Sequence, residues 1–475
     1  MVTAGLTEFT SAISLPTNLP ALRQRLISLA FPVFLEQILA LCVGFSDRVL
    51  TGHYLATEHL AAITVVGYLL WLIYGIFSIV SLGASPLIAR AIGAGDVREA
   101  NVIYHQSLVL GILFALPLTS GAGIGCEYLV GLVRLEGAAA EAAVTYLRWI
   151  IPVLPLMMFQ AASVGALRAC GDMLSGFWVM GVVNATNVLL SWGLVLGVGP
   201  LPRLGWSGLA VGTSAGFVVG SFVTGFFLLS GRRPLKLQVS LLRLNWGHIK
   251  RILRIGVPGC ADNLTVIGCQ LWFLGLINCL GAEATAAHGV AISAESFVFL
   301  PGVALQAAAA TLVGQYLGAR QENWALQSVR TASWLGCIAM GLGGGLLIGL
   351  AHWLPYAFVS ARQTAVASAA TPLLRVVGGA MPALALTMIL SGALRGAGDT
   401  RASLLISVIG FLAVRIPATY ALAFGEVVLP FSLGSLRGAN LGVVGAWWAM
   451  AADLWLRALL LILRFRRGRC LRHEL

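Results

Sequence analysis

Gly165-Ala-Leu-Arg-Ala-Cys-Gly-Asp172 returns as Gly392-Ala-Leu-Arg-Gly-Ala-Gly-Asp399, identical at six of eight positions and displaced by 227 residues. An internal repeat sets the architecture before any single motif does. Two weaker matches keep the register: Leu87 to Asp96 (LIARAIGAGD) aligns with Leu312 to Gln321 (LVGQYLGARQ) at 225, and Pro32, Glu36 and Gln37 align with Pro258, Asp262 and Asn263 at 226. Around these anchors lie apolar runs near 31–51, 60–86, 101–123, 146–166, 174–197, 207–230, 255–279, 285–313, 331–352, 372–393, 402–424 and 441–463. Each has about the length needed to cross a ~30 Å hydrocarbon core. Each copy holds six runs, an even number, so both copies enter the bilayer from the same side, related by a pseudo-twofold axis along the membrane normal. The expected fold is an all-α polytopic membrane protein: twelve transmembrane helices in two pseudo-symmetric six-helix bundles around a central cavity.

Composition agrees. Hydrophobic residues make up 59% of the 475 and charged residues 10%, against roughly 25% charged in a soluble domain, which excludes a soluble enzyme. The excess of 30 Lys and Arg over 18 Asp and Glu reads as membrane orientation rather than nucleic-acid binding, because cytoplasmic loops concentrate cations. A cytoplasmic N-terminus puts most cations inside, including the run from Arg232 to Arg254. The expected organisation is a cytoplasmic segment over 1–30, a first lobe over 31–230, a basic linker over 231–254, a second lobe over 255–463 and a basic cytoplasmic tail over 464–475. Arg23 and Arg25 follow a polar stretch, unlike the order of a cleaved signal peptide, so the first span is expected to stay in the protein. Arg464, Arg466, Arg467, Arg469 and Arg472 read as a headgroup anchor. Eight cysteines and seven histidines show no metal-ligand spacing, so neither metal nor cofactor is expected. No Ser/His/Asp, His-Glu-x-x-His or paired catalytic carboxylate spacing points to an enzyme.

Further segments carry a resemblance. They are Gly44-Phe-Ser-Asp47 with Thr51-Gly52, Leu60-Ala-Ala62, Gly93-Ala-Gly-Asp96, both Gly-Ala-Leu-Arg copies, Ala286-Ala-His-Gly289, Glu295-Ser296, Leu300-Pro-Gly302 and Ala309 to Ala319. With these, the chain from Phe31 to about Arg466 resembles the multidrug and toxic compound extrusion (MATE) family. The resemblance implies two six-helix bundles that export mostly cationic, amphipathic compounds in exchange for protons or sodium ions. It also implies an ion- or proton-binding role for Asp47, which matches the family's first-span Asp.

Five acids fall within the spans: Glu36, Asp47, Asp262, Glu295 and Asp453. A carboxylate at a helix centre costs about 2.5–3.5 kcal/mol on insertion scales, so such acids face a wet cavity, a partner or an ion path. Arg415 is the clear mid-span cation, and an acid-rich interior suits cationic substrates. Glu36, eleven residues before Asp47, shares its helical face, ~16 Å away along the axis. Glu36 and Asp262 near the cytoplasmic boundary read as helix caps or gate partners. Glu295 precedes Pro301, where a broken helix would leave carbonyls free beside a carboxylate. Asp453 has Arg457 at i+4 as a local partner.

Asn184 and Asn187 are the neutral groups placed to assist Asp47. One family branch adds an Asp four residues after the second Asn, where this chain has Ser191, and another places acids at positions matching Val266 and Leu384. Gln160, Gln270, Gln306 and Tyr74 are candidates for the substrate path, with Trp71 and Tyr68, since aromatic faces attract organic cations. Glycines at every fourth position, 208 to 220 and 341 to 349, read as helix-packing stripes.

The expected function is a secondary active antiporter exporting organic, drug-like cations against H+ or Na+ by alternating access, acting as a monomer in the plasma (inner) membrane with both termini cytoplasmic. The alternative is a flippase for a lipid-linked oligosaccharide, which needs basic cavity residues for a pyrophosphate.

Overall fold

The computed structural model describes residues 16–132, 135–231, 233–359, 362–428 and 435–467; Arg232, Arg469 and Arg472 lie outside them. The first half contains α1 (Leu19–Tyr54), α2 (Thr57–Gly93), α3 (Val97–Ile124), the short α4 (Cys126–Leu132), α5 (Gly137–Ile150), α6 (Leu154–Ala169), α7 (Met173–Leu196) and α8 (Trp206–Leu229). The second contains α9 (Trp246–Asn278), α10 (Ala282–Val298), α11 (Leu300–Gly318), α12 (Glu322–Gly349), α13 (Thr364–Gly396), α14 (Thr400–Ile409), α15 (Ile416–Ala423) and α16 (Gly442–Arg466). Among the described residues eleven helical segments are long and apolar enough to cross a membrane, and there are twelve if the pair α10 and α11, bent by 46°, is one broken span. The all-helical expectation holds apart from a short antiparallel pair, β1 (Glu426–Val428) and β2 (Ser435–Arg437), in which Val427 faces Leu436.

The helices form two compact units. One comprises Phe31–Cys260 with Gly314–Arg320, and the other Asn18–Ala30, Ala261–Val313 and Gln321–Leu475. Large apolar side chains such as Phe222, Leu342 and Leu412 are exposed, as expected of helices whose solvent is hydrocarbon. The core of the second unit gathers Trp447, Met340, Met381, Leu373 and Phe273.

The repeated octapeptide is a corner between helices. Gly171 (φ +92°) and Gly398 (φ +82°) take the positive φ that a side chain resists. Asp172 and Asp399 then cap α7 and α14, accepting from the backbone N–H of Ser175 at 3.1 Å and Ala402 at 3.4 Å. Each cap is also an ion-pair acceptor, from Arg233 at 2.7 Å in one half and Arg464 at 2.7 Å in the other. Arg464, the first of the basic run, is thus tied to a helix corner and lies within the last turn of α16.

The glycines of α8 pack as expected, because a Cβ at Gly208, Gly212 or Gly216 would meet the backbone of Leu194, Ser191 or Val183 on α7. In α12 the expected stripe is one register off. Gly345 and Gly349 have open space, whereas a Cβ at Gly344 would strike the carbonyl of Gly378 and one at Gly336 would strike Ile389. Three consecutive glycines at 343–345 make the fourfold spacing ambiguous in the sequence, and the α13 contact selects the Gly336, Met340 and Gly344 face.

Three neighbouring residues of α3 hold the segment after α8 by its backbone. Asn101 donates to the Pro234 carbonyl at 3.1 Å and accepts from Lys236 N–H at 2.9 Å. His105 donates through Nδ1 to the Asn101 carbonyl at 2.7 Å, which leaves Nε2 to accept from Gln238 N–H at 2.8 Å. Gln106 donates to the carbonyls of Leu241 and Arg243 and accepts from Asn245 N–H at 2.8 Å.

Candidate functional site

The sequence-derived candidates fall into three groups. Glu36, Tyr74 and Gln160 line a cavity of ≈ 300 Å³ in the first half. Glu36 on α1 accepts from Arg168, the Arg of the first Gly-Ala-Leu-Arg copy. Gln160 donates weakly to the Met180 sulfur at 3.6 Å, and its carbonyl oxygen has no partner. Tyr74 lies 6.3 Å, ring to ring, from Phe217.

Asp47 on α1 and Asn184 and Asn187 on α7 make the second group. Asp47 is 9% exposed, and its Oδ1 is buried with no hydrogen-bond partner among the described residues. The Tyr146 hydroxyl on α5 meets the Thr213 hydroxyl at 2.9 Å. Asn187 donates to the same Thr213 oxygen at 2.9 Å. Among the described residues, Asn187 Oδ1, Asn184 Nδ2 and Ser191 Oγ on α7 are buried without a hydrogen-bond partner, and no Lys or Arg forms an ion pair with Asp47. A buried carboxylate without an ion-pair partner is a group suited to holding a proton or a small hard cation. Close packing of the bare α8 glycines on α7 brings Thr213 within reach of Asn187. Tyr146 and Thr213 were not legible as candidates, since an isolated Tyr and Thr in apolar runs carry no sequence signal.

Asp262, Gln270, Glu295 and Gln306 line a cavity of ≈ 400 Å³ in the second half, together with Arg395, Arg415 and Arg457. Asp262 accepts from Arg395 at 3.2 Å and from Ser403 at 2.7 Å. Arg395 belongs to the second Gly-Ala-Leu-Arg copy, so Glu36–Arg168 and Asp262–Arg395 are the same latch, built twice. Both members of each pair sit in the repeat register, which is a signal that sequence reasoning had in hand and did not combine. Val266 and Leu384, the positions matched to acids in one family branch, also line this cavity, as apolar residues. Asp453 pairs with Arg457 at 2.9 Å, as the i+4 spacing predicts.

The helix does break between Glu295 and Pro301, but the Glu295 and Phe299 carbonyls are taken by the N–H groups of Phe299 and Val303. Pro301, which has no N–H, deprives Phe297 of its helical donor, so the carbonyl affected by the break is that of Phe297, two residues beyond the acid. Glu295 contributes a buried, unpartnered Oε2. Trp71 and Tyr68 are 42% and 39% exposed and line neither cavity.

Comparison with known proteins matches the MatE family model to residues 32–192 and 258–421, one segment in each half. The Probable multidrug resistance protein NorM of Thermotoga maritima is 27% identical over 95% of this chain and 94% of its own. The Multidrug resistance protein NorM of Burkholderia vietnamiensis is 28% identical over 97% of each. Among solved structures, an outward-facing multidrug resistance MATE family transporter of the MOP superfamily superposes with a TM-score of 0.84 at 19% identity, over 94% of this chain and 96% of that one. A MOP superfamily transporter from Pyrococcus furiosus, described by the reverse polarity of its binding pocket, gives 0.84 at 20% identity over 95% and 97%. With the family model covering both halves in the register of the repeat, the chain belongs to the MatE family, multi-pass membrane transporters rather than enzymes.

Proposed function

We propose that the chain is a secondary active exporter of organic cations that uses an inward proton or sodium gradient through Asp47 and alternates access across the plasma membrane, as a monomer with both termini in the cytoplasm. The observation that carries this reading is Asp47 itself: a buried carboxylate whose Oδ1 has no hydrogen-bond partner and which forms no ion pair with Lys or Arg among the described residues. A carboxylate so placed is available to a proton or cation that arrives from outside. One charge moving inward yields about 2.3 kcal/mol per 100 mV, which sustains a substantial uphill ratio of a monovalent drug. In this reading the cation lies in the first-half cavity, beside Glu36, Tyr74 and Gln160. The multidrug names of the NorM relatives support the same substrate class.

The test is efflux of ethidium from proteoliposomes under separately imposed proton and sodium gradients. The parent is expected to export under one of them, and Asp47→Asn to lose that dependence while retaining its thermal stability. Normal gradient-driven export by Asp47→Asn overturns the assignment. The flippase alternative draws less support, because a pyrophosphate needs several uncommitted cations, and two of the three arginines in the second cavity are engaged by Asp262 and Asp453.

A further inference from the structure

The third arginine of that cavity is differently placed. Arg415 is 2% exposed and ends a π-helical turn, Gly410–Arg415, interposed between α14 and α15; such turns recur at functional sites. Gly410 lets the turn sit against α16, since a Cβ there would strike the Asp453 carboxylate. The Arg415 guanidinium lies over the Phe273 ring at 4.6 Å and the Phe411 ring at 5.7 Å, which fixes its plane. Its Nη2 donates to Gln270 Oε1 at 2.9 Å. A guanidinium has no acceptor, so this contact turns the Gln270 amide nitrogen, with its two donors, away from Arg415.

Arg415 lacks an anion. Among the described residues no carboxylate lies within ion-pair distance of it, and its Nε is buried without an acceptor. The acids around it are accounted for: Asp453 is engaged by Arg457 and Asp262 by Arg395, while Glu295, which lines the same cavity, forms no ion pair with Arg415. A buried guanidinium is stable when a planar acceptor meets its fork of donors. The remaining wall is apolar and aromatic, with Ile292, Phe299 and Leu384.

We propose that this cavity is a binding site for organic carboxylates, with Arg415 and the Gln270 amide receiving the carboxylate and the apolar wall receiving an aryl group. The site is separate from Asp47, and the proposal does not depend on which ion drives transport.

The full-length protein is purified in detergent and titrated calorimetrically, with no ion gradient, against 2-naphthoate, the neutral 2-naphthamide and the cationic 2-naphthylmethylammonium. The parent is expected to bind 2-naphthoate at least tenfold more tightly than either of the others. Arg415→Gln is expected to bring 2-naphthoate to within twofold of 2-naphthamide, leaving 2-naphthamide binding unchanged as a check on the cavity. Asp47→Asn is expected to keep the parent's preference. Undetectable 2-naphthoate binding, no preference over the amide, tighter binding of the ammonium probe, or a preference that survives in Arg415→Gln each overturns the proposal. If Arg415→Gln does not fold, the parent's ranking of the three probes decides, together with Gln270→Leu, for which a threefold or greater loss of the preference is expected and an unchanged preference counts against the site.

Discussion

The two halves keep one device and differ in another. Each ties the acid near the start of its first span to the Arg of its Gly-Ala-Leu-Arg corner, Glu36 to Arg168 and Asp262 to Arg395. Each anchors the capping Asp of that corner to a more distant Arg, Asp172 to Arg233 and Asp399 to Arg464. Elsewhere the chemistry diverges. The first half leaves the buried Asp47 carboxylate without an ion pair among the described residues, whereas the second sets three arginines against three acids and leaves Arg415 and Glu295 without an ion pair. Duplication has preserved what holds helix ends together and released the interior to specialise.

The comparison breaks most severely at Asp453. Asp453→Asn strands Arg457 in a buried site and is expected to cost about 3–5 kcal/mol, read as a lowered unfolding midpoint in detergent; an unchanged midpoint would mean that the pair is hydrated. The duplicated latches come next. Asp262 is more enclosed than Glu36 and is shared with Ser403, so Asp262→Asn is expected to cost about 3 kcal/mol and Glu36→Gln about 2. Equal losses would show that burial does not separate the two copies. In the hydrogen-bond network of α5, α7 and α8, Thr213→Val removes partners of Tyr146 and Asn187 and is expected to cost about 1–2 kcal/mol; no change in midpoint would dissolve that network. Glycine substitutions close the series. Gly216→Ala puts a methyl 2.8 Å from the Val183 carbonyl, for a loss of about 1–2 kcal/mol. Gly345→Ala enters open space and is expected to gain about 0.5–1 kcal/mol from helix propensity; if both behave alike, the α8 stripe is not a contact face.

The spans were legible because twenty apolar residues in a row have few alternatives, and the twofold organisation because the octapeptide is its own ruler. Asp453 and Arg457 were legible for the same local reason, since i and i+4 on a helix must meet. Partners on different helices were not. Arg168 lies 132 residues from Glu36, and only the shared repeat register hints at their contact. Thr213 and Tyr146 are brought to Asn187 by helix packing, which no local pattern records. Glu295 shows a subtler limit: Pro301 announces a break, yet which carbonyl the break frees depends on how the chain bends at Phe299.

The backbone held by Asn101, His105 and Gln106 has a consequence for anyone dissecting the protein. Pro234, Lys236, Gln238, Leu241, Arg243 and Asn245 are bonded much as a neighbouring strand would bond them. The stretch joining the halves is thus a docked part of the first, not a slack tether. A fragment ending at 230 would leave an imidazole and two carboxamides facing their missing complements, and would be a poor candidate for separate expression. One carried through to Cys260 would keep those bonds and bring its own seam with it.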